Sequence, residues 1–164
     1  DLADVRRLDD ERRVTQPRPV RDEALQEFLD VARAKLAWQP VTLTHEEISE
    51  VGRAFGEVAE TTGLSVGACA ILPNHVHVVC ERPNASYERV VNRLKGRSSQ
   101  FVRERRGIPR SKDRRHRVPI WTRGYWVRFI DDASQMECAI RYVRRNPVRD
   151  GIGGQEWDFV RRLV

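Results

Sequence analysis

Apolar positions recur at helical spacing in four stretches of the chain and run as short β-type blocks between them. Leu25, Phe28, Leu29 and Ala32 share one face of a predicted helix over Glu23–Lys35, bounded by Pro17, Pro19 and Pro40. A second helix starts at Thr44. Thr44 and Glu47 form a capping box, Ile48, Val51, Phe55, Val58 and Ala59 form the apolar stripe, and Gly63 supplies the stop. Leu64–Leu72 and His75–Cys80 read as strands; the two-residue break at Pro73-Asn74 suggests antiparallel neighbours, with a bulge or edge kink at the proline as the other reading. In the second of these, Val76, Val78 and Cys80 point to a helical layer, with His75, His77 and Val79 on the opposite face. A third helix runs from about Ser86 to Arg105 with Val90, Val91, Leu94, Phe101 and Val102 inward, and basic residues on its other side. Ile120–Ile130 is a further strand region. The last helix opens at Asp131-Asp132, buries Met136, Ala139, Ile140 and Val143, and should stop at Pro147. Trp157 and Phe159 would pin the tail to the body.

Composition narrows the class. With 164 residues, 33% charged and 40% hydrophobic, the chain has enough material for one soluble domain and one core. No stretch reaches the length of a membrane span, and the charged N-terminus has no signal-peptide pattern, so a cytoplasmic location is expected. The first residue is not Met, which reads as a fragment or a processed chain. Cys69, Cys80 and Cys138 lack CxxC spacing; buried free thiols are expected rather than disulfides or a zinc cluster. Residues 1–43 read as a partly helical extension, and 44–164 as the functional domain.

The net charge of +6 conceals a segregation. Arg89–Arg149 carries 18 Lys and Arg against 5 Asp and Glu, while the remainder carries 12 against 19. A basic segment of that density predicts a polyanionic partner, nucleic acid foremost. Lys112–Arg117, in the loop over Gly107–Val118, is too charged to pack and suits a phosphate-binding or disordered loop. Trp121, Tyr125, Trp126 and Phe129 interleave with Arg123 and Arg128, the combination that single-stranded nucleic acid uses for stacking and phosphate contact. An ordinary amphipathic strand with core aromatics is the competing explanation.

Candidate chemistry centres on His75-Val76-His77. Residues i and i+2 of a strand share a face, so both imidazoles stand side by side, a pairing suited to a divalent metal. Taken alone, two half-exposed histidines on a polar strand face fit equally well. On the last helix, Tyr142 and Asn146 lie one turn apart at the border of the apolar stripe, which aims a phenol and a carboxamide at the helix–sheet seam.

Four motifs then occur in order: Pro73-Asn74-His75-Val76-His77-Val78-Val79, Leu94-Lys95-Gly96, Trp121-Thr122-Arg123-Gly124-Tyr125-Trp126 and Arg141-Tyr142-Val143-Arg144-Arg145-Asn146-Pro147-Val148. Together they resemble the single-tyrosine HUH transposases, a group that includes small insertion-sequence transposases and REP-associated tyrosine transposases. The resemblance spans roughly Thr44 to Trp157. It implies an α+β, ferredoxin-like sandwich with a central antiparallel sheet and helices packed on it. It implies that His75, His77 and Asn146 are metal ligands and that Tyr142 is the nucleophile. Lys95, Arg97, Arg123, Tyr125, Trp126, Arg144 and Arg145 become the candidate DNA-binding residues. Relatives open with a strand before the helix that starts here at Thr44, and no such strand is visible in this sequence.

The expected activity is metal-dependent cleavage and transfer of single-stranded or hairpin DNA through a 5′-phosphotyrosine. Nitrogen and amide-oxygen ligands fit Mg²⁺ or Mn²⁺, although histidine also tolerates zinc or nickel. A free phenol, with a pKa of about 10, is ionised in about one molecule per thousand at neutral pH, so positive charge must assist it. Arg144, Arg145 and Lys95 are candidates for that role. The alternative is a catalytically silent nucleic-acid-binding module derived from a transposase. A zinc hydrolase is disfavoured, because no carboxylate or third histidine stands at a suitable spacing. Monomer and homodimer are both compatible with the sequence.

Overall fold

A computed structural model describes residues 41–109, 119–161 and 163. The predicted helix at 23–35, the place of a first strand and the run Lys112–Arg117 lie outside the described residues. The named elements are helix α1 (His45–Thr62), strands β1 (Val66–Ile71) and β2 (Val76–Cys80), helix α2 (Tyr87–Arg105) and helix α3 (Ala133–Arg149). The α+β class read from the sequence holds, with a two-stranded antiparallel sheet packed against helices.

Both ends of α1 form as their residues dictate. Thr44 Oγ1 accepts the Glu47 amide, the Glu47 carboxylate accepts the Thr44 amide, and Gly63 closes the helix at φ 64°. Glu47 does more than cap. It is 4% exposed and takes two hydrogen bonds from Arg106, from Nε at 2.5 Å and from Nη2 at 2.8 Å, so the start of α1 is tied to the end of α2. The Arg106 hydrogen bonds hold its carboxyl below the ordinary glutamate value of 4.5. A folded-state pKa below the unfolded one gives stability that is complete above about 4.5 and is lost as pH falls through the folded value. Glu47→Gln should therefore lower the melting temperature at neutral pH and flatten its dependence below pH 4.5. Glu47→Ala should cost about 2–3 kcal/mol in a denaturant titration. An unchanged acid limb in Glu47→Gln would remove the pair from this role.

The sheet is a hairpin. Leu72 N–H donates to His75 O at 2.8 Å across Pro73-Asn74, and the ladder continues through Ala70 opposite His77 and Ala68 opposite Val79. Directly opposed residues share a face. One face, with Cys69, Ile71, Val76 and Val78, packs on α1 and α2 as the sequence predicts. The other, with Ala68, Ala70 and Val79, lies against Met136, Ala139, Ile140 and Val143 of α3. Helices on both faces explain why every residue of β1 is buried.

The tail covers the outer edge of β1. The Gln155 side chain bonds both Ile71 N–H (2.9 Å) and Ile71 O (2.7 Å), and Arg161 N–H donates to Val66 O at 2.8 Å. A carboxamide thus substitutes for a strand partner and blunts an exposed edge.

Three expectations need correction. Ile120–Ile130 is not a strand. Ile120 is buried and Trp121 Nε1 donates to Ser98 Oγ at 2.9 Å, but the Thr122 and Gly124 carbonyls are taken by Lys95 Nζ (3.0 and 2.6 Å) instead of by a ladder. Pro147 does not end α3, which runs on to Arg149 with Asp150 N–H bonded to Asn146 O at 3.0 Å. Burial of Pro147 and Val143 outweighs the local preference of the residue before proline. Cys138 is exposed rather than buried, because α3 turns Ala139, Ile140 and Val143 to the sheet and leaves position 138 outward. Cys69 is buried as expected, and burial pushes its thiol well above the ordinary value.

Candidate active site

The hairpin brings both histidines to the α3 side of the sheet. Their rings meet edge to face with centroids 4.9 Å apart, and the Tyr142 ring stands edge-on to His77 at 5.8 Å. The cause is in the packing. Ala68 and Ala70 leave the α3 face of β1 low, so α3 settles onto it through Val143 and Ile140. Tyr142, next to Val143 at the rim of that contact, then reaches the histidine edge with half of its surface in solvent (51%).

His75 Nδ1 lies 2.6 Å from Asn74 Oδ1, an oxygen that can only accept, and this contact fixes the orientation of the ring. His77 is held below the ordinary histidine pKa by burial and by His75, with Asp150 opposing. Two imidazoles meeting at one corner offer ring nitrogens suited to a divalent cation.

Asn146 sits one turn beyond Tyr142, 6% exposed, and its Nδ2 is buried with no hydrogen-bond partner. An orphaned buried amide end is costly. Turned over, the amide presents its oxygen there instead, and a bound cation would satisfy it. Among the described residues no group of three or more His, Cys, Asp or Glu is arranged to hold a metal. By donor chemistry, two imidazole nitrogens and an amide oxygen suit a hard or borderline divalent ion.

The candidate DNA-binding residues fall into different surroundings. Lys95 is engaged with the Thr122 and Gly124 carbonyls and lies over the Tyr125 ring. Arg97 pairs with Glu57, bonds Gln100 and covers the Phe101 ring. Arg144 donates to Gly67 O at 3.4 Å. Arg123, Tyr125, Trp126 and Arg145 are exposed.

Asp150 is the site neighbour that sequence reasoning missed. It caps α3 two turns beyond Tyr142, and its charge acts on His77. The spacing Tyr142, Asn146, Asp150 was the available signal, obscured by reading Pro147 as the end of the helix.

The sequence is similar to known proteins over most of the described residues. A family model described as IS200-like transposase matches residues 38–146, ending at Asn146. A Haemophilus influenzae protein named as a REP-associated tyrosine transposase is 26% identical over 108 residues, which cover 63% of this chain. The matched region spans 61% of that relative's length. No solved structure matches the chain.

Proposed function

The chain belongs to the IS200-like transposase family, and from that premise we propose that it is a metal-dependent, single-tyrosine DNA endonuclease and strand transferase acting on single-stranded or hairpin DNA. The observation that carries the proposal is the meeting of His75 and His77, from the β1–β2 hairpin, with Tyr142, from a separate helix. A half-exposed tyrosine at the rim of an imidazole pair is placed to meet a polymer that arrives from solvent.

In the proposed reaction, Tyr142 Oη attacks a backbone phosphorus and the P–O3′ bond breaks. The phenolic proton is lost and the departing oxygen gains one, giving a 5′-phosphotyrosine and a 3′-hydroxyl. Attack by a 3′-hydroxyl on the phosphotyrosine reverses the balance, joins DNA and frees the enzyme. His75, His77 and Asn146 would hold a Mg²⁺ or Mn²⁺ ion, which when bound offsets charge on the scissile phosphate. Burial, which lowers the His77 pKa, favours that role, since an imidazolium cannot ligate. Exposed arginines of α3, Arg145 among them, would attract the phosphate backbone.

The direct test is incubation of the full chain with Mn²⁺ and a pool of hairpin oligonucleotides, followed by mass spectrometry. A DNA adduct on Tyr142 is expected. Adduct-free protein that still binds the oligonucleotides would leave a silent binding module instead. Separately, Mn²⁺ titration by calorimetry should show His75→Ala and His77→Ala each weakening the metal by on the order of tenfold or more. Equal affinity in wild type and both variants would place the ion elsewhere.

No described helix is long and apolar enough to cross a membrane.

A further inference from the structure

Four large aromatic side chains, one at the start of α2 and three in the stretch 125–129, face solvent. Tyr87 is 39% exposed, Tyr125 42%, Phe129 53% and Trp126 73%. Tyr87, the first residue of α2, joins the group: its ring lies edge to face with Tyr125 at 6.3 Å and with Phe129 at 6.0 Å. Trp126 follows Tyr125 directly in the chain. Ring contacts from separate elements make Tyr87, Tyr125 and Phe129 a surface cluster rather than scattered apolar residues, and Trp126 adjoins it as the most exposed of the four.

The segment that displays these rings is fixed at its base. Ile120 is buried, Trp121 is anchored to Ser98, and Lys95 binds two carbonyls of the turn while its ammonium lies 5.4 Å from the Tyr125 ring centre. The base thus holds Ile120 and Trp121 inward, while Tyr125, Trp126 and Phe129 stay outward. Lys95 is largely committed to this turn, and desolvation there lowers its pKa.

We propose that Tyr87, Tyr125, Trp126 and Phe129 form a base-stacking platform for unpaired DNA nucleotides, with Lys95 as the positioning residue that sets its shape. This rests on the DNA-processing reading above and assigns the platform to the bases rather than to the scissile phosphate. Aromatic faces stack on bases only where these are unstacked, so the platform selects single strands over duplex and tolerates sequence. Charge complementarity favours DNA over an apolar peptide: Arg123 and Arg128 lie exposed within the same stretch, and Arg89–Arg149 as a whole is strongly basic. The arginines would neutralise backbone while the rings take the bases.

The test separates bases from phosphates. A short labelled oligothymidine and an abasic oligonucleotide of equal length carry the same charge, and only the first can stack. The full chain should bind oligothymidine more tightly, with quenching of tryptophan fluorescence. Trp126→Ala and Phe129→Ala should each weaken oligothymidine binding roughly tenfold while barely changing the abasic strand. Arg123→Ala should weaken both strands alike, and Lys95→Met should lose the base-dependent part. Circular dichroism confirms that the variants are folded. Equal affinity of the wild type for both strands would overturn the platform. So would oligothymidine binding that is indifferent to Trp126, or a dimer that dissociates on Trp126→Ala, which would mark a contact between copies. A normal Tyr142 adduct without Trp126-dependent stacking removes the platform and leaves the nuclease standing; stacking without an adduct does the reverse.

Discussion

Tyr142→Phe should yield a folded protein that still binds DNA and Mn²⁺ but forms no covalent DNA adduct, with cleavage reduced on the order of a thousandfold or more. The substitution removes one oxygen from a ring that is 51% exposed and edge-on to His77. Packing against the histidine is kept, so stability should change by less than about 0.5 kcal/mol. Loss of chemistry without loss of fold or affinity is the signature of a nucleophile. Gel separation of labelled hairpin products, with calorimetry for the metal, reads both quantities. Residual cleavage within about tenfold of wild type would assign the nucleophile to another group, water included. His77→Ala gives the complementary pattern, since it removes a proposed ligand together with the ring that orients Tyr142.

The second large effect is structural and lies at Gly52. A Cβ built on this residue would fall 2.0–2.6 Å from three carbons of the Trp157 ring, closer than any carbon pair tolerates. Gly56, one turn on, is tight against Phe159 at 3.3 Å. Glycines at this spacing open a flat lane along α1 in which the stacked Trp157 and Phe159 rings lie. Gly52→Ala gains about 1 kcal/mol of helix propensity. Displacing an indole that anchors the tail costs more, and a net loss of about 2 kcal/mol is expected in urea unfolding. Gly96→Ala is the contrasting control. It lies inside α2 with nothing within 4 Å of the added carbon, and should stabilise by up to about 1 kcal/mol. In a Trp157→Ala background the Gly52→Ala penalty should largely vanish. Equal penalties in both backgrounds would place the clash elsewhere.

Much of this was legible from residues alone because it depends on local rules. The Thr44–Glu47 box, the Gly63 stop and the stripes of all three described helices follow from capping chemistry and period, and each was found in place. The tight turn at Pro73-Asn74 fixed antiparallel pairing and put Val76, Val78 and Cys80 on the α1–α2 side. The aromatic stretch 120–130 was misread because β-propensity reflects available partners more than backbone preference. Its carbonyls meet a lysine ammonium 27 and 29 residues away, a contact that no window of sequence displays.

The His75-Val76-His77 triplet, the Tyr142–Asn146 spacing and the basic segment were fixed by the chain itself, because period and charge are properties of sequence. Whether Tyr142 meets the histidine pair was decided by packing. Two alanines in β1 let α3 approach, and Val143 set the rotation that carries Tyr142 to His77. The role of Glu47 as an anchor for Arg106, the Gln155 mimic of a strand and the joining of Tyr87 to the aromatics of 125–129 are likewise tertiary. Each joins groups distant in sequence, and their proximity is settled by burial of the core rather than by any neighbouring residue.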